Sequence, residues 1–544
     1  MTLTKCWLAG VLAAALPSLL AAQRVLGPGD DAWPLPAGVM RVGLATRFVV
    51  GDEWFDARGQ RDPLGAWLTR SAITATTFPG LVAAERSIRD VTGDPAFSLS
   101  LGGVSADVRR QVQVVPLELA LGLTSRLTLR VMAPLVGVEH QTNWRSSATG
   151  ATVGANPALS GTGTLAQHTS LVSALQSSAT AIDALADGCA ADATSDARCG
   201  LVLSEITQVR SLASATRTFG DAIGRTYGGA AGITPGAFVP LATTDAHAQV
   251  GTAITALRDA YARYGETGID PTLGVVGAAT PLTVADLHAL LEDADGAYAL
   301  GPWGRRYLQG WGDIDVGLWY RLFDGAGDRP WSRLGTSAGR RWRQSVGATM
   351  RLGTGSPVDP DDPLMLATGD GQHDVEVTSA TDLLWGAHAW GSLLVRYTKQ
   401  LGDERVARLP DAALAPYLPL TRRVLAERTP GDRIQIELAP RWVFNDYLAV
   451  GTRYRFMHEA ATVWREISPA SGAVALQAEG AAITAHEASF GVTWSSIAAW
   501  QRGRSKRPIE ISWERGYVFA GEGEILAARS DRLGVLVYAK LWGK

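Results

Sequence analysis

Three cysteines are all that this 544-residue sequence contains, and after the first twenty residues it has no long apolar run. The second absence excludes a membrane-spanning helix, which needs about 20 consecutive apolar residues. An excess of one charge is missing too: 50 Lys+Arg against 53 Asp+Glu leave a net charge of −3, so nucleic acid is not expected as a partner. No phosphate loop, no Gly-x-Ser-x-Gly elbow and no His-Glu-x-x-His helix occurs. The eight His residues and the cysteines fall at no ligand spacing, so neither metal nor cofactor is expected. Low-complexity linkers and charged tails are also lacking.

Residues 1–22 read as a secretory signal peptide: Lys5, an apolar run from Trp7 to Leu20, then Leu20-Ala21-Ala22 before Gln23. Outside the cytoplasm, Cys189 and Cys199, which bracket CAADATSDARC, are expected to form a local disulfide. Cys6 stands too early for a lipid-attachment site.

Alternation is what the chain has in quantity. Between Val108 and Trp144, Val115, Leu117, Leu119, Leu121 and Leu123 share one strand face while Pro116, Glu118, Ala120 and Gly122 share the other. After the short Thr124-Ser125-Arg126 turn, Leu127, Leu129, Val131, Ala133 and Leu135 repeat the apolar face, opposite Thr128, Arg130, Met132 and Pro134. A soluble sandwich turns such an apolar face inward; a membrane barrel turns it to lipid. Similar segments recur near residues 41–50, 313–322, 341–352, 374–385, 392–400, 433–444, 448–456, 487–494, 509–519 and 532–541. The total is about twelve strands of roughly ten residues, an even number as a bacterial single-chain barrel requires. Connections alternate between long ones (51–107, 145–311, 354–372, 402–431, 466–484, 521–529) and mostly shorter ones (124–126, 324–340, 386–389, 445–446, 498–507). That is the loop rule of outer-membrane barrels, and the 18 Trp would furnish their interfacial girdles.

In the longest connection the apolar period changes to three and four: Leu171, Val172, Leu175, Ala179, Ile182 and Leu185; Val250, Ile254, Leu257, Tyr261 and Tyr264; Leu203, Ile206, Val209 and Leu212. Thr283 with Asp286 marks a capping box opening a helix at Val284–Glu292. These apolar faces are expected to pack on each other. The expected fold is an all-β membrane barrel of about twelve antiparallel strands, with a large α-helical insertion in the extracellular loop between strands 3 and 4. Strands 1–3 and a long first loop occupy 23–144, the helical cap 145–311, and strands 4–12 312–544.

The barrel reading assigns a set of charges to the lumen: Arg41, Arg47, Glu118, Arg130, Asp313, Asp315, Arg321, Arg341, Arg343, Arg351, Asp374, Glu376, Asp382, Arg396, Arg433, Glu437, Arg441, Arg453, Arg455, Glu487, Glu510 and Glu514. Opposite charges facing each other at low dielectric are expected to form a structural ladder; the other reading is a polar path with a basic and an acidic side. Pro116, Pro134 and Pro440 cannot donate to a strand ladder, and Pro116 with Pro134 mark a possible opening in the wall.

LALGLTSRLTLRVMAPLVGVE, and RLGTGSPVDP followed by ATGDGQHDVEV, resemble barrel phrases of the outer-membrane transporters for long-chain fatty acids and aromatic hydrocarbons. That resemblance implies a monomeric barrel with helical extracellular loops, a strand kink opening the wall and an N-terminal plug. The chain departs from the family in three ways: about twelve strands where the family has fourteen, a short mature N-terminus that leaves little for a plug, and no Asn-Pro-Ala motif. The expected function is an outer-membrane channel or transporter for small apolar or amphipathic solutes, located in the bacterial outer membrane with lipid as its surroundings. The alternative is a sealed barrel anchoring a surface helical domain for adhesion or assembly. A phospholipase-type hydrolase fits less well, because His458 and His486 near the rim have no serine at a convincing spacing.

Overall fold

The computed structural model describes residues 31–325, 340–385, 388–411, 417–445, 447–501 and 503–542; the signal peptide and Asp446 lie outside the described residues. Two compact units divide the chain: a β unit (1–68, 106–143 and 292–544) and a helical unit (69–105 and 144–291).

The β unit is built on β1 (Val39–Gly51), β2 (Gly103–Gly122), β3 (Leu127–Ser147), β4 (Ile314–Asp324), β5 (Arg340–Leu352), β6 (Asp374–Trp385), β7 (Ala389–Gln400), β8 (Arg433–Val443), β9 (Leu448–Glu459), β10 (Ile483–Ser495), β11 (Ile509–Glu522) and β12 (Arg529–Lys540). Each strand pairs with the one before and after it in sequence. The last strand then pairs antiparallel with the first, from Val39↔Lys540 to Val50↔Arg529. These twelve strands close into an antiparallel barrel, the number and order read from the sequence. A thirteenth, short strand at Arg306–Trp311 prolongs the line of β4 along β3. Gly312 and Asp313 interrupt that line, and the Gly312 N–H donates to the Pro134 carbonyl at 2.8 Å.

Period-two patterning decides which way each strand faces. On β4, Leu318 is 48% exposed and its neighbour Trp319 only 1%. Leu117, Val377, Leu438, Phe490 and Leu533 lie exposed on five other strands. In water each such aliphatic side chain would forgo roughly 1.5–3 kcal/mol of burial, so this outer belt is stable only against lipid. No helix among the described residues is long and apolar enough to cross a membrane. Connections alternate as the sequence does: 52–102, 148–313, 353–373, 401–432, 460–482 and 523–528 at one end, and 123–126, 386–388, 444–447 and 496–508 among those at the other. At the long-loop end, Asp403–Arg408, Arg423–Thr429, Val463–Glu466 and Gln477–Glu479 form a separate four-stranded sheet that ties two loops together.

The helical unit holds α1 (Val82–Thr92), α2 (Thr162–Ala191), α3 (Cys199–Ser204), α4 (Ile206–Thr226), α5 (Asp245–Arg263) and α6 (Val284–Glu292). Leu171, Leu175, Ala179 and Ile182 of α2 are buried in one cluster with Val209, Ala213 and Ile223 of α4 and Val250 and Ile254 of α5. Cys189 near the end of α2 is bonded to Cys199 at the start of α3. The capping box forms at α6: the Asp286 N–H donates to Thr283 Oγ1 and the Thr283 N–H to Asp286 Oδ2. The first long loop, which reads as irregular in sequence, contributes α1, whose Val91 joins the same core. His168, fully buried, ties the unit through Nδ1 to the Tyr227 carbonyl at 2.9 Å, while Nε2 accepts from the Val276 N–H.

Candidate functional site: the barrel interior

The barrel's inner face collects the charges. Arg41, Asp313, Asp315, Arg321, Arg343, Asp374, Asp382, Arg396, Arg433, Glu437, Arg441, Arg453, Arg455, Glu487, Glu510 and Glu514 are buried. Arg47, Glu118, Arg130, Arg341, Arg351 and Glu376 are half-buried. Most are paired across neighbouring strands. Arg453 on β9 reaches Glu487 on β10 at 3.0 Å and Glu514 on β11 at 2.7 Å. Arg455 pairs with Glu487, Arg532 with Glu514 at 3.5 Å, and Arg47 with Glu487 at 3.5 Å. A second group forms on the opposite wall, where Arg351 meets Asp315 at 2.9 Å and Asp374 at 3.6 Å, and Arg343 meets Asp324 at 3.1 Å and Asp382 at 3.6 Å. Arg41 pairs with Glu118, Arg396 with Glu437 at 3.5 Å, and Arg433 with Glu459 at 2.8 Å. Arg321 meets Asp324 at 2.9 Å, Glu510 accepts from the Tyr538 hydroxyl, and Arg130 lies 4.4 Å from the centre of the Trp319 ring. Two members have other work. Asp313 accepts the N–H groups of Gly355 at 2.8 Å and Asp370 at 3.0 Å, anchoring the 353–373 loop, and Glu376 accepts from the Thr378 hydroxyl.

Sequence reasoning missed Asp324, Glu459 and Arg110 as inner-face charges. For Glu459 and Arg110 the signal was available, since each continues the parity of a strand already recognised; Asp324 breaks the odd parity of β4, because a register shift opposite Gln344/Ser345 precedes it.

The second element inside the barrel is the chain preceding β1. The Ala32 N–H donates to both carboxylate oxygens of Asp382 at 3.1 Å, and the Ala32 carbonyl accepts from Ser345 Oγ at 2.6 Å. The Leu35 N–H donates to Thr128 Oγ1 at 2.9 Å, and Asp31 lies 3.6 Å from Arg441. These partners belong to β6, β5, β3 and β8. Trp33 and Leu35 are buried with Ala120 of β2 and Tyr538 of β12, and Ala32 with Trp319, Ala380 and Leu394. Residues 31–36 therefore cross the bore at the short-turn end. The expectation left little N-terminal chain for a plug; residues 31–36 nevertheless lie within the bore, where strands β3, β5, β6 and β8 supply partners.

Pro116 and Pro134 lie within continuous β2 and β3 with buried side chains, whereas Pro440 faces outward. His486 Nδ1 bonds the Tyr454 hydroxyl at 2.8 Å and His458 bonds Thr484 Oγ1 at 3.2 Å; neither meets a serine. In the loop before β12, Glu524 holds a left-handed backbone (φ 68°) and is buried, with one carboxylate oxygen lacking a partner. Burial pushes its carboxyl up to about 8.

A closed barrel with an apolar outer belt and a charged, internally paired inner face defines a transmembrane β-barrel of the bacterial outer membrane. Among solved structures, the chain is similar to an outer-membrane channel from Pseudomonas putida F1, with a TM-score of 0.41, 9% identity, and 95% of this chain and 100% of that chain covered. It is also similar to a Pseudomonas aeruginosa FadL homologue (TM-score 0.27, 6% identity, 98% and 100% covered) and to the Pseudomonas putida toluene transporter TodX (0.20, 10%, 95% and 96%). No family model matches the chain, and no curated protein matches it.

Proposed function

We propose that this protein is an outer-membrane channel or transporter for small amphipathic or apolar solutes, stopped on the periplasmic side by residues 31–36. The observation that carries the reading is the manner of that stop. The segment is held across the bore by a few hydrogen bonds and two apolar side chains, not by a covalent link or a strand ladder. Such contacts are individually worth about 1–2 kcal/mol and can open. The paired charges around the segment keep the bore nearly neutral, so a solute with a small polar head need not meet a strong field of one sign. In this reading the helical unit is the surface-exposed part of the protein.

The dense ion pairing favours a second reading, a sealed barrel that anchors the helical unit for adhesion or assembly. One measurement separates the two. Purified protein is reconstituted in liposomes, and solute efflux is compared for the full chain and a variant lacking residues 31–36. Efflux that rises several-fold on deletion is expected; no efflux from either protein leaves only the sealed barrel.

A further inference from the structure

Among the described residues, one buried inner-face arginine has no counter-charge. Arg110 on β2 is 4% exposed, its Nε has no hydrogen-bond partner, and among the described residues no carboxylate pairs with it. Counting along the β2–β3 hairpin from its closure, where the Leu123 N–H donates to the Leu127 carbonyl, puts Arg110 opposite His140 and Val108 opposite Thr142. The guanidinium is near enough to act on the imidazole electrostatically. His140 is buried with both ring nitrogens unpartnered, and Thr142 is buried with its hydroxyl unpartnered. Val112 of β2 and Val136 and Val138 of β3 are buried on the same inner face. The outward residues at this level, Arg109 and Gln141, are polar and exposed, so it lies past the apolar belt, toward the long-loop end.

Leaving one charged and two polar side chains buried without partners costs several kcal/mol. Arg41, Arg343, Arg396 and Arg433 avoid that cost through carboxylates of the wall; Arg110 does not. We propose that Arg110, His140 and Thr142 bind the carboxylate of a small, singly charged amphipathic solute whose apolar part lies against the neighbouring valines. The inference rests on the channel reading and names the headgroup of the solute. The guanidinium fork matches a planar carboxylate, the imidazole keeps one N–H even when neutral, and the threonine hydroxyl is a third donor. One positive charge balances a monoanion, whereas a dianion such as phosphate would remain half uncompensated in a buried site.

The test is calorimetric titration of the purified full chain with sodium hexanoate, with hexanol as the uncharged control and inorganic phosphate as competitor. Hexanoate is expected to bind, Arg110→Gln to weaken it about tenfold or more, and hexanol to be indifferent to the substitution. Arg110→Lys, which keeps the charge and loses the fork, is expected to fall between. Equal hexanoate affinity in Arg110→Gln, an equal loss for hexanol, or phosphate displacing hexanoate would each overturn the proposal. Should Arg110→Gln fail to assemble, as read from heat-modifiable migration, Thr142→Val and His140→Gln carry the test, each expected to weaken hexanoate several-fold; unchanged affinity in both counts against the site. Efflux measurements keep the two readings apart. Arg110-dependent binding in a protein that passes no solute, with or without residues 31–36, overturns the channel alone; efflux with binding indifferent to these residues overturns the site alone.

Discussion

Releasing residues 31–36 is expected to open the barrel, and the contacts indicate how much must be removed. The bond from the Ala32 N–H to the Asp382 carboxylate is charge-assisted and worth about 2 kcal/mol; the Ser345 and Thr128 bonds are worth about 1 kcal/mol each. Burial of Trp33 and Leu35 adds roughly 2 kcal/mol each. Against that sum of about 8 kcal/mol, ordering six residues costs at least about 6 kcal/mol of backbone entropy. On these contacts the segment is thus held by at most about 2 kcal/mol. The triple variant D382A/S345A/T128A removes about 4 kcal/mol and turns the balance over, to roughly 30:1 in favour of the open state. Arg343 keeps Asp324 at 3.1 Å in that variant, so the wall retains an ion pair. Asp382→Asn alone keeps an acceptor oxygen for Ala32 and should change little. In planar bilayers the full chain should show rare openings and the triple variant a mostly open conductance equal to that of the 31–36 deletion. A deletion variant that conducts no better than the full chain would refute the reasoning, because the segment would then not be what closes the bore.

Three further outcomes follow from particular side chains. Arg453→Ala strips a shared partner from Glu487 and Glu514, but Arg47, Arg455 and Arg532 remain beside them, so the urea midpoint should drop by the equivalent of about 3 kcal/mol, the low end for a broken buried pair. Reducing the Cys189–Cys199 bond, which closes a sequence separation of 10, should destabilise the helical unit by about 3 kcal/mol and leave heat-modifiable migration of the barrel intact; loss of that migration would count against independent units. Glu524 binds its proton more tightly when folded, with its carboxyl up to about 8, so its stabilising effect is present below the ordinary carboxylate range and lost as pH rises through 8. Glu524→Gln should therefore flatten the fall in melting temperature between pH 6 and 9, an effect of a few kcal/mol at most; an unchanged slope in the variant would show that the carboxyl is not the group titrating.

The barrel itself was legible in the chain because its signal is local. A strand between lipid and an inner face must alternate, and Leu117, Leu119, Leu318 and Phe490 declare their side of the wall from neighbours two residues away. Helical spacing in 162–191 and 245–263 was legible for the same reason, as was the capping box at Thr283. α1 was not, since Ile88 and Val91 form too short an apolar stripe to stand out from a polar loop. Ion pairs were legible only as a list of charges. Which arginine meets which carboxylate depends on the register of two strands, on their bulges and on how far each continues, and so Asp324 and Glu459 went unread. The segment 31–36 carries no periodicity at all; its place across the bore comes from Asp382, Ser345 and Thr128, which lie roughly 90 to 350 residues away in sequence. Period and composition act between neighbours and determined the wall of this barrel. What fills it, and which buried inner charge lacks a counter-charge, was decided only when the folded barrel brought its strands face to face.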